Sequence, residues 1–218
     1  MGIFADLLAH HGVEEVCELR SSFGFMAYHG GSLEESTDVI ATRAAAACGA
    51  SYYGVHQPAD LQWHIPSIKV TAADSPALMR FLNHVEIVIT IHGFGRENFF
   101  TSLLLGGRNR HLAEHVASHV RRALPVYDIV TDLNRIPVEL RGQHVDNPVN
   151  VPRHAGVQIE LPPRVRGASP LWWDWEGPEP SPHTAALINA LASAAATWRQ
   201  PATTTVVTER AVTSSSEG

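Results

Sequence analysis

Two places in the sequence share one grammar, an apolar run that ends in His-Gly. Residues 23–28 lead into His29-Gly30-Gly31, and residues 86–91 lead into His92-Gly93. Glycine after the histidine lets the backbone turn sharply and leaves room beside the imidazole. Glu34 lies five residues beyond His29, across a tight turn and at the start of a predicted helix. A histidine leaving a strand and a glutamate entering the next helix can converge on one point. Each His-Gly alone is accounted for by a turn histidine satisfied by backbone. Taken together, His29, Glu34 and His92 supply two imidazoles and one carboxylate. That is the ligand set of a catalytic zinc, with three protein ligands and one open position. Such a site polarises a carbonyl and lowers the pKa of water toward ~7, and it still needs a base. Glu160, in VQIEL, is the candidate. Alternation puts it on the same strand face as Gln158, opposite Val157, Ile159 and Leu161. Periodicity alone does not separate a base from an ordinary outward-facing glutamate.

The elements that must position these residues can be read from pattern and punctuation. Helices are expected at 1–11, 36–48, 76–83, 109–123 and 184–198, with Gly49 as a stop and Asn109 as a cap. Strands are expected at 16–20, 23–28, 51–55, 86–91, 101–105, 126–130 and 157–161. Residues 132–156 and 167–182 read as loops rich in proline. Alternating strands and helices predict an α/β fold with a mainly parallel, mixed central sheet and helices on both faces. In such sheets functional groups gather at the carboxyl ends of strands, where both His-Gly pairs fall. Residues 1–200 are expected to form one domain, and 201–218 a disordered low-complexity tail.

Composition narrows the function classes. The 218 residues are 44% hydrophobic and 17% charged, with a formal net charge of -6. An acidic chain of this kind is a poor partner for a phosphate backbone, so nucleic acid is not expected. No apolar run approaches the ~18 residues that span a membrane. The N-terminus lacks the basic start of an export signal, which predicts a protein that is cytoplasmic as made, or released by lysis if phage-derived. Of the 16 basic residues only Lys69 is lysine, and histidine occurs 13 times. Cys17 and Cys48 read as buried thiols. His111, His115 and His119 share a face of a predicted helix and read as solvated, because the placement lacks the glutamate of a metal-binding HExxH helix. Asp132-Leu133-Asn134-Arg135 is a weak carboxylate-binding candidate. Gly106-Gly107-Arg108-Asn109 lacks the Lys-Ser/Thr of a nucleotide-binding loop.

The ordered set HGGSLE (29–34), WHIPS (63–67), IHG (91–93), NPVN (147–150) and GVQIEL (156–161) resembles the poly-γ-glutamate hydrolase family, found in bacteria and phages. The resemblance covers about residues 15–166. It implies a core and metal site like those of zinc carboxypeptidases, with one Zn2+ per chain held by His29, Glu34 and His92. It implies Glu160 as general base and Arg164 or Arg166 as the contact for a substrate carboxylate. Asn150 and His64 join them as candidate substrate contacts. Arg153, Arg164 and Arg166 cluster in sequence near Glu160, which suits an acidic enzyme that must receive a polyanion. The implied activity is cleavage of γ-glutamyl amide bonds in an anionic glutamate polymer. The alternatives are a γ-glutamyl peptide, a peptidoglycan stem or an acyl-amino acid as substrate, or an inactive binding module on the same fold. The insert 171–180, with Trp172, Trp173 and Trp175, departs from the family pattern and is expected to cover the sheet. Oligomeric state is not legible.

Overall fold

The structure, a computed structural model, describes residues 2–201. The expected tail therefore lies, beyond Pro201, outside the described residues. Twelve regular elements follow one another as α1 (Ile3–Leu8), β1 (Glu14–Glu18), β2 (Ser21–Gly31), α2 (Thr37–Cys48), β3 (Ala50–Gln57), α3 (Pro76–His84), β4 (Ile87–Gly93), β5 (Ser102–Leu105), α4 (Arg110–Ala123), β6 (Asp128–Val130), β7 (Gly156–Leu161) and α5 (Pro182–Thr197). Among the described residues the strands form one sheet in the order β1-β3-β2-β4-β7-β5-β6. The four central strands are parallel, while β1 runs antiparallel to β3 and β5 antiparallel to β7. The sheet is thus mixed and mostly parallel, as expected.

Strand alternation decides which side chains meet which helices. Phe25, Ala27, Ile87, Ile89, Ile91, Val157 and Ile159 point to one face and pack with α2, α4 and α5. Met26, Tyr28 and Val88 point to the other, where Phe4 and Leu7 of α1 and Leu78 and Phe81 of α3 cover them. Both faces are covered, so the central strands read as near-continuous apolar runs. Local chemistry sets the helix ends. Ser75 caps α3 by accepting the Leu78 N–H at 2.9 Å ahead of Pro76, and Asn109 does the same for Leu112 at the start of α4. Gly49 ends α2 with φ 69°.

Several boundaries differ from expectation. β1 begins and ends two residues earlier than 16–20, because Arg20 already belongs to the turn, where its backbone N–H donates to Ser51 Oγ. β2 extends past residue 28 to Gly31. The tryptophan loop covers only in part. Trp172 packs against His183 and Trp175, but Trp173 is 80% exposed. No helix among the described residues is long and apolar enough to cross a membrane.

Candidate metal centre and active site

The order β3-β2-β4-β7 fixes where the site falls. From β2 the chain crosses to β3 on one side, and later to β4 on the other. Such a switch point opens a crevice at the carboxyl ends of the strands. His29 lies near the end of β2, His92 near the end of β4, and Glu160 lies directly beside His92 on β7. Pairing of β2 with β3 slips between Ala27 and Gly30. Irregularities of this kind re-aim side chains. Here Tyr28 and His29, neighbours in sequence, both place their rings 4.9 Å from that of His92. Gly31 then turns at φ 69°, where a side chain would meet the Gln57 carbonyl. The Glu34 N–H closes the turn on the His29 carbonyl at 3.0 Å.

Glu34 sits between two imidazoles. Its Oε1 is 2.9 Å from His29 Nδ1, its Oε2 is 3.3 Å from His92 Nδ1, and Oε2 also accepts the Gly93 N–H at 2.8 Å. The far nitrogen of each ring is occupied. His29 Nε2 meets the Ile65 carbonyl at 2.9 Å, and His92 Nε2 meets the Tyr28 hydroxyl at 3.0 Å. A carbonyl can only accept, so His29 Nε2 carries a proton. Nδ1 then faces a carboxylate oxygen at 2.9 Å. Two electron-rich groups hold that distance only with a proton or a cation between them. The donor set therefore fits a metal ion. The outer partners on the far nitrogens are those that orient metal-binding histidines. The group whose ligand atoms all lie within 4.8 Å of one another is His29, Glu34 and His64. Two overlapping trios thus share His29 and Glu34, one completed by buried His92 and one by the more open His64.

Electrostatics separate the two carboxylates. Burial opposes charge on Glu34, but His92 and His29 outweigh it and hold the carboxyl well below the usual range. Burial pushes Glu160 up to about 7, with Glu34 adding to the shift and His92, the Gln158 hydrogen bond and Arg166 opposing it. Burial pushes the Tyr28 hydroxyl up, so it stays a neutral phenol. Burial and the His29 imidazole push His64 down.

The site opens into a cavity of about 690 Å3 lined by His29, Glu34, His64, His92 and Glu160 together with residues 138–140 and 142–144. Of the proposed substrate contacts, His64 lines this cavity. Arg166 lies just behind it. The guanidinium donates to the Leu161 and Glu35 carbonyls and lies against Gly93, where a Cβ would come within 2.8 Å of Cζ. Arg164 turns away, over the Tyr127 ring at 5.8 Å. Asn150 spends its amide on the Gly142 and His144 carbonyls and its oxygen on the Arg108 N–H, which pins the loop instead of lining the cavity. Arg153 is exposed and 3.8 Å from Glu86, at the opposite end of the strands. It precedes β7 and Glu160 lies near that strand's far end, so nearness in sequence becomes separation in space. Among the described residues no arginine or lysine lines the cavity. The Gly106-Gly107 turn is filled by Arg110, whose guanidinium donates to the Leu105, Gly106, Gly107 and Thr131 carbonyls.

Three groups at the site were not assigned roles from sequence. Tyr28 carried no signal, because a tyrosine in an apolar run reads as core. Gln158 carried one, its shared strand face with Glu160. Asn147 lies in the NPVN segment, whose pattern does not separate it from Asn150.

The fold is a mixed, mostly parallel α/β sheet that carries a His–Glu–His candidate metal centre at the carboxyl ends of its strands. The chain belongs to the poly-γ-glutamate hydrolase family, whose sequence model matches residues 6–169. Two solved structures share the fold. A bacteriophage poly-γ-glutamate hydrolase aligns with a TM-score of 0.69 at 18% identity, covering 84% of this chain and 87% of that one. The zinc-free apo form of YNDL aligns at 0.63 and 20% identity, covering 83% and 89%. No curated protein sequence matches the chain. Family membership supports hydrolysis of poly-γ-glutamate.

Proposed function

We propose that this protein is a zinc-dependent amidohydrolase that cuts γ-glutamyl amide bonds in poly-γ-glutamate. The observation that carries the reading is the convergence of His29, Glu34 and His92 beside a buried Glu160 in a chain of this family. His29, Glu34 and His92 would hold one zinc per chain. His92 is preferred to His64 as the third ligand because it is buried and its far nitrogen is held by Tyr28. When bound, zinc supplies Lewis acidity that polarises the amide carbonyl and acidifies water.

The chain's own residues do the rest. Glu160 takes a proton from water as its oxygen adds to the amide carbon. It returns that proton to the nitrogen as the C–N bond breaks, leaving a carboxylate and an amine. A carboxyl poised near neutrality suits both transfers. His64, on the open side, meets the substrate. Arg166, one layer behind Gly93, adds positive charge that offsets the net acidity of the protein toward a polyanion.

The test is polymer length by size-exclusion chromatography after incubation with zinc-loaded enzyme. Shortening should stop on chelation and resume on zinc addition, and Glu160→Gln should lose at least ~100-fold in rate. Unchanged polymer with loaded enzyme, or a fully active Glu160→Gln, would overturn the reading.

A further inference from the structure

Glu160 does not stand alone. Its Oε1 accepts Gln158 Nε2 at 2.8 Å, and Gln158 Oε1 accepts Asn147 Nδ2 at 2.8 Å. Asn147 Oδ1 in turn accepts the backbone N–H of Val149 at 3.1 Å. All three side chains are buried. An amide side chain can present either its oxygen or its nitrogen to a neighbour, and the network decides which. Here the decision starts at a backbone group that can only donate. The Val149 N–H demands an oxygen, so Asn147 must turn Oδ1 toward it and Nδ2 toward Gln158. Gln158 must answer with Oε1, which leaves Nε2 facing Glu160. The orientation set by one peptide N–H, in the turn Pro148–Asn150, thus passes through two amides to the carboxylate.

We infer that Asn147 and Gln158 are positioning residues for the hydrolytic base, fixing which oxygen of Glu160 handles the proton. With Oε1 held by a donor, the proton is accepted and returned at Oε2. A carboxylate without that tether can rotate about its last bond and present either oxygen, or turn away from the water it must deprotonate. The register supports the geometry. Gln158 and Glu160 are alternate residues on one strand face, and β7 is clamped to β4 across His92, so the relay and the metal ligands share one rigid support. Alternation on the strand alone would bring the two side chains near each other. It would not orient the glutamine amide; Asn147 does that at Oε1 at 2.8 Å, and the Leu140 carbonyl, 3.4 Å from Nε2, adds a longer contact in the same sense.

The inference rests on the proposal that Glu160 is the base, and the test separates the two. Steady-state kinetics on a γ-glutamyl amide are measured for zinc-loaded wild type, Glu160→Gln, Gln158→Met, Asn147→Asp and the Gln158→Met/Asn147→Asp pair, each with metal content determined. Gln158→Met keeps length and removes the donor. Asn147→Asp keeps the shape and the Val149 contact but presents an oxygen to Gln158, which reverses the glutamine amide. Each single variant should lose about 10- to 100-fold in kcat, with KM within about twofold and zinc retained. In the pair, Asn147→Asp should add nothing to Gln158→Met, because the relay is already cut. Additive losses would mean that Asn147 acts on its own, and an unchanged kcat in Gln158→Met would overturn the relay outright. Asn147→Ser, which keeps an oxygen for Val149 without adding charge, serves if Asn147→Asp does not fold. A dead Glu160→Gln with an intact Gln158→Met sinks the relay alone, whereas an active Glu160→Gln sinks the base assignment.

Discussion

The molecule holds two histidine trios. His29, His64 and His92 come from three separate segments, while His111, His115 and His119 lie along one face of α4. The rings of His29 and His92 are 4.9 Å apart, and so are those of His115 and His119. Ring spacing therefore does not distinguish them. The surroundings do. Glu34 stands between the first pair, and the outer nitrogens of that pair are held by the Ile65 carbonyl and the Tyr28 hydroxyl. On α4, the Nε2 atoms of His115 and His119 face Thr197 Oγ1 at 3.3 and 3.2 Å, and His115 Nε2 also meets the Ala194 carbonyl. Among the described residues no carboxylate bridges them. The candidate metal centre has a buried acceptor between rings whose far sides are fixed, whereas the helix histidines contact a threonine hydroxyl and a backbone carbonyl.

Glu34→Ala should collapse the difference between the trios. Zinc affinity should fall by more than the ~10- to 100-fold typical of losing an outer partner. Equilibrium dialysis would measure it, and wild-type affinity would show that the carboxylate is not a ligand. Tyr28→Phe removes only the hydroxyl that orients His92, so its loss should stay within that ~10- to 100-fold range, with the fold intact by circular dichroism.

In chelator-treated protein, pH should act through Glu160. Its carboxyl is raised to about 7 by burial, so its contribution is full below the ordinary carboxylate range. It is lost as pH rises through about 7, because the unfolded chain releases that proton earlier. Thermal melts of metal-free protein should therefore weaken between about pH 4.5 and 7, and Glu160→Gln should flatten that slope. Glu34, held low by His92 and His29, works in the opposite sense and loses its contribution only in stronger acid. The comparison can also be sharpened by construction. Thr197→Asp places a carboxylate near the two helix imidazoles and should confer weak zinc binding there, read against wild type by equilibrium dialysis. The smallest effect belongs to His119→Ala, which should change stability by no more than ~0.5 kcal/mol in denaturant titration and leave activity unchanged.

Much of this was legible in the sequence, for identifiable reasons. β4 announced itself because a strand buried on both faces must be apolar throughout. The His-Gly pairs announced the crevice because parallel strands deliver their last residues to one edge. The register that puts Glu160 beside His92 was not legible, since alternation gives a face and not a partner. Nor was the fate of the arginines. Arg153 stands seven positions before Glu160 in the chain, but β7 runs between them and carries them to opposite ends of the sheet. Arg164 and Arg166 are two residues apart, and one stacks on Tyr127 while the other lies under Gly93. Tyr28 shows the same limit. A hydroxyl's partner across the sheet leaves no mark on a sequence that reads as core.

The most direct test of the account is metal content by mass spectrometry on zinc-supplied wild type, His29→Ala, His92→Ala and His115→Ala. About one zinc per chain is expected in wild type and His115→Ala, and essentially none in His29→Ala or His92→Ala. Zinc retained in His29→Ala and His92→Ala but lost in His115→Ala, or no zinc in wild type, would contradict it.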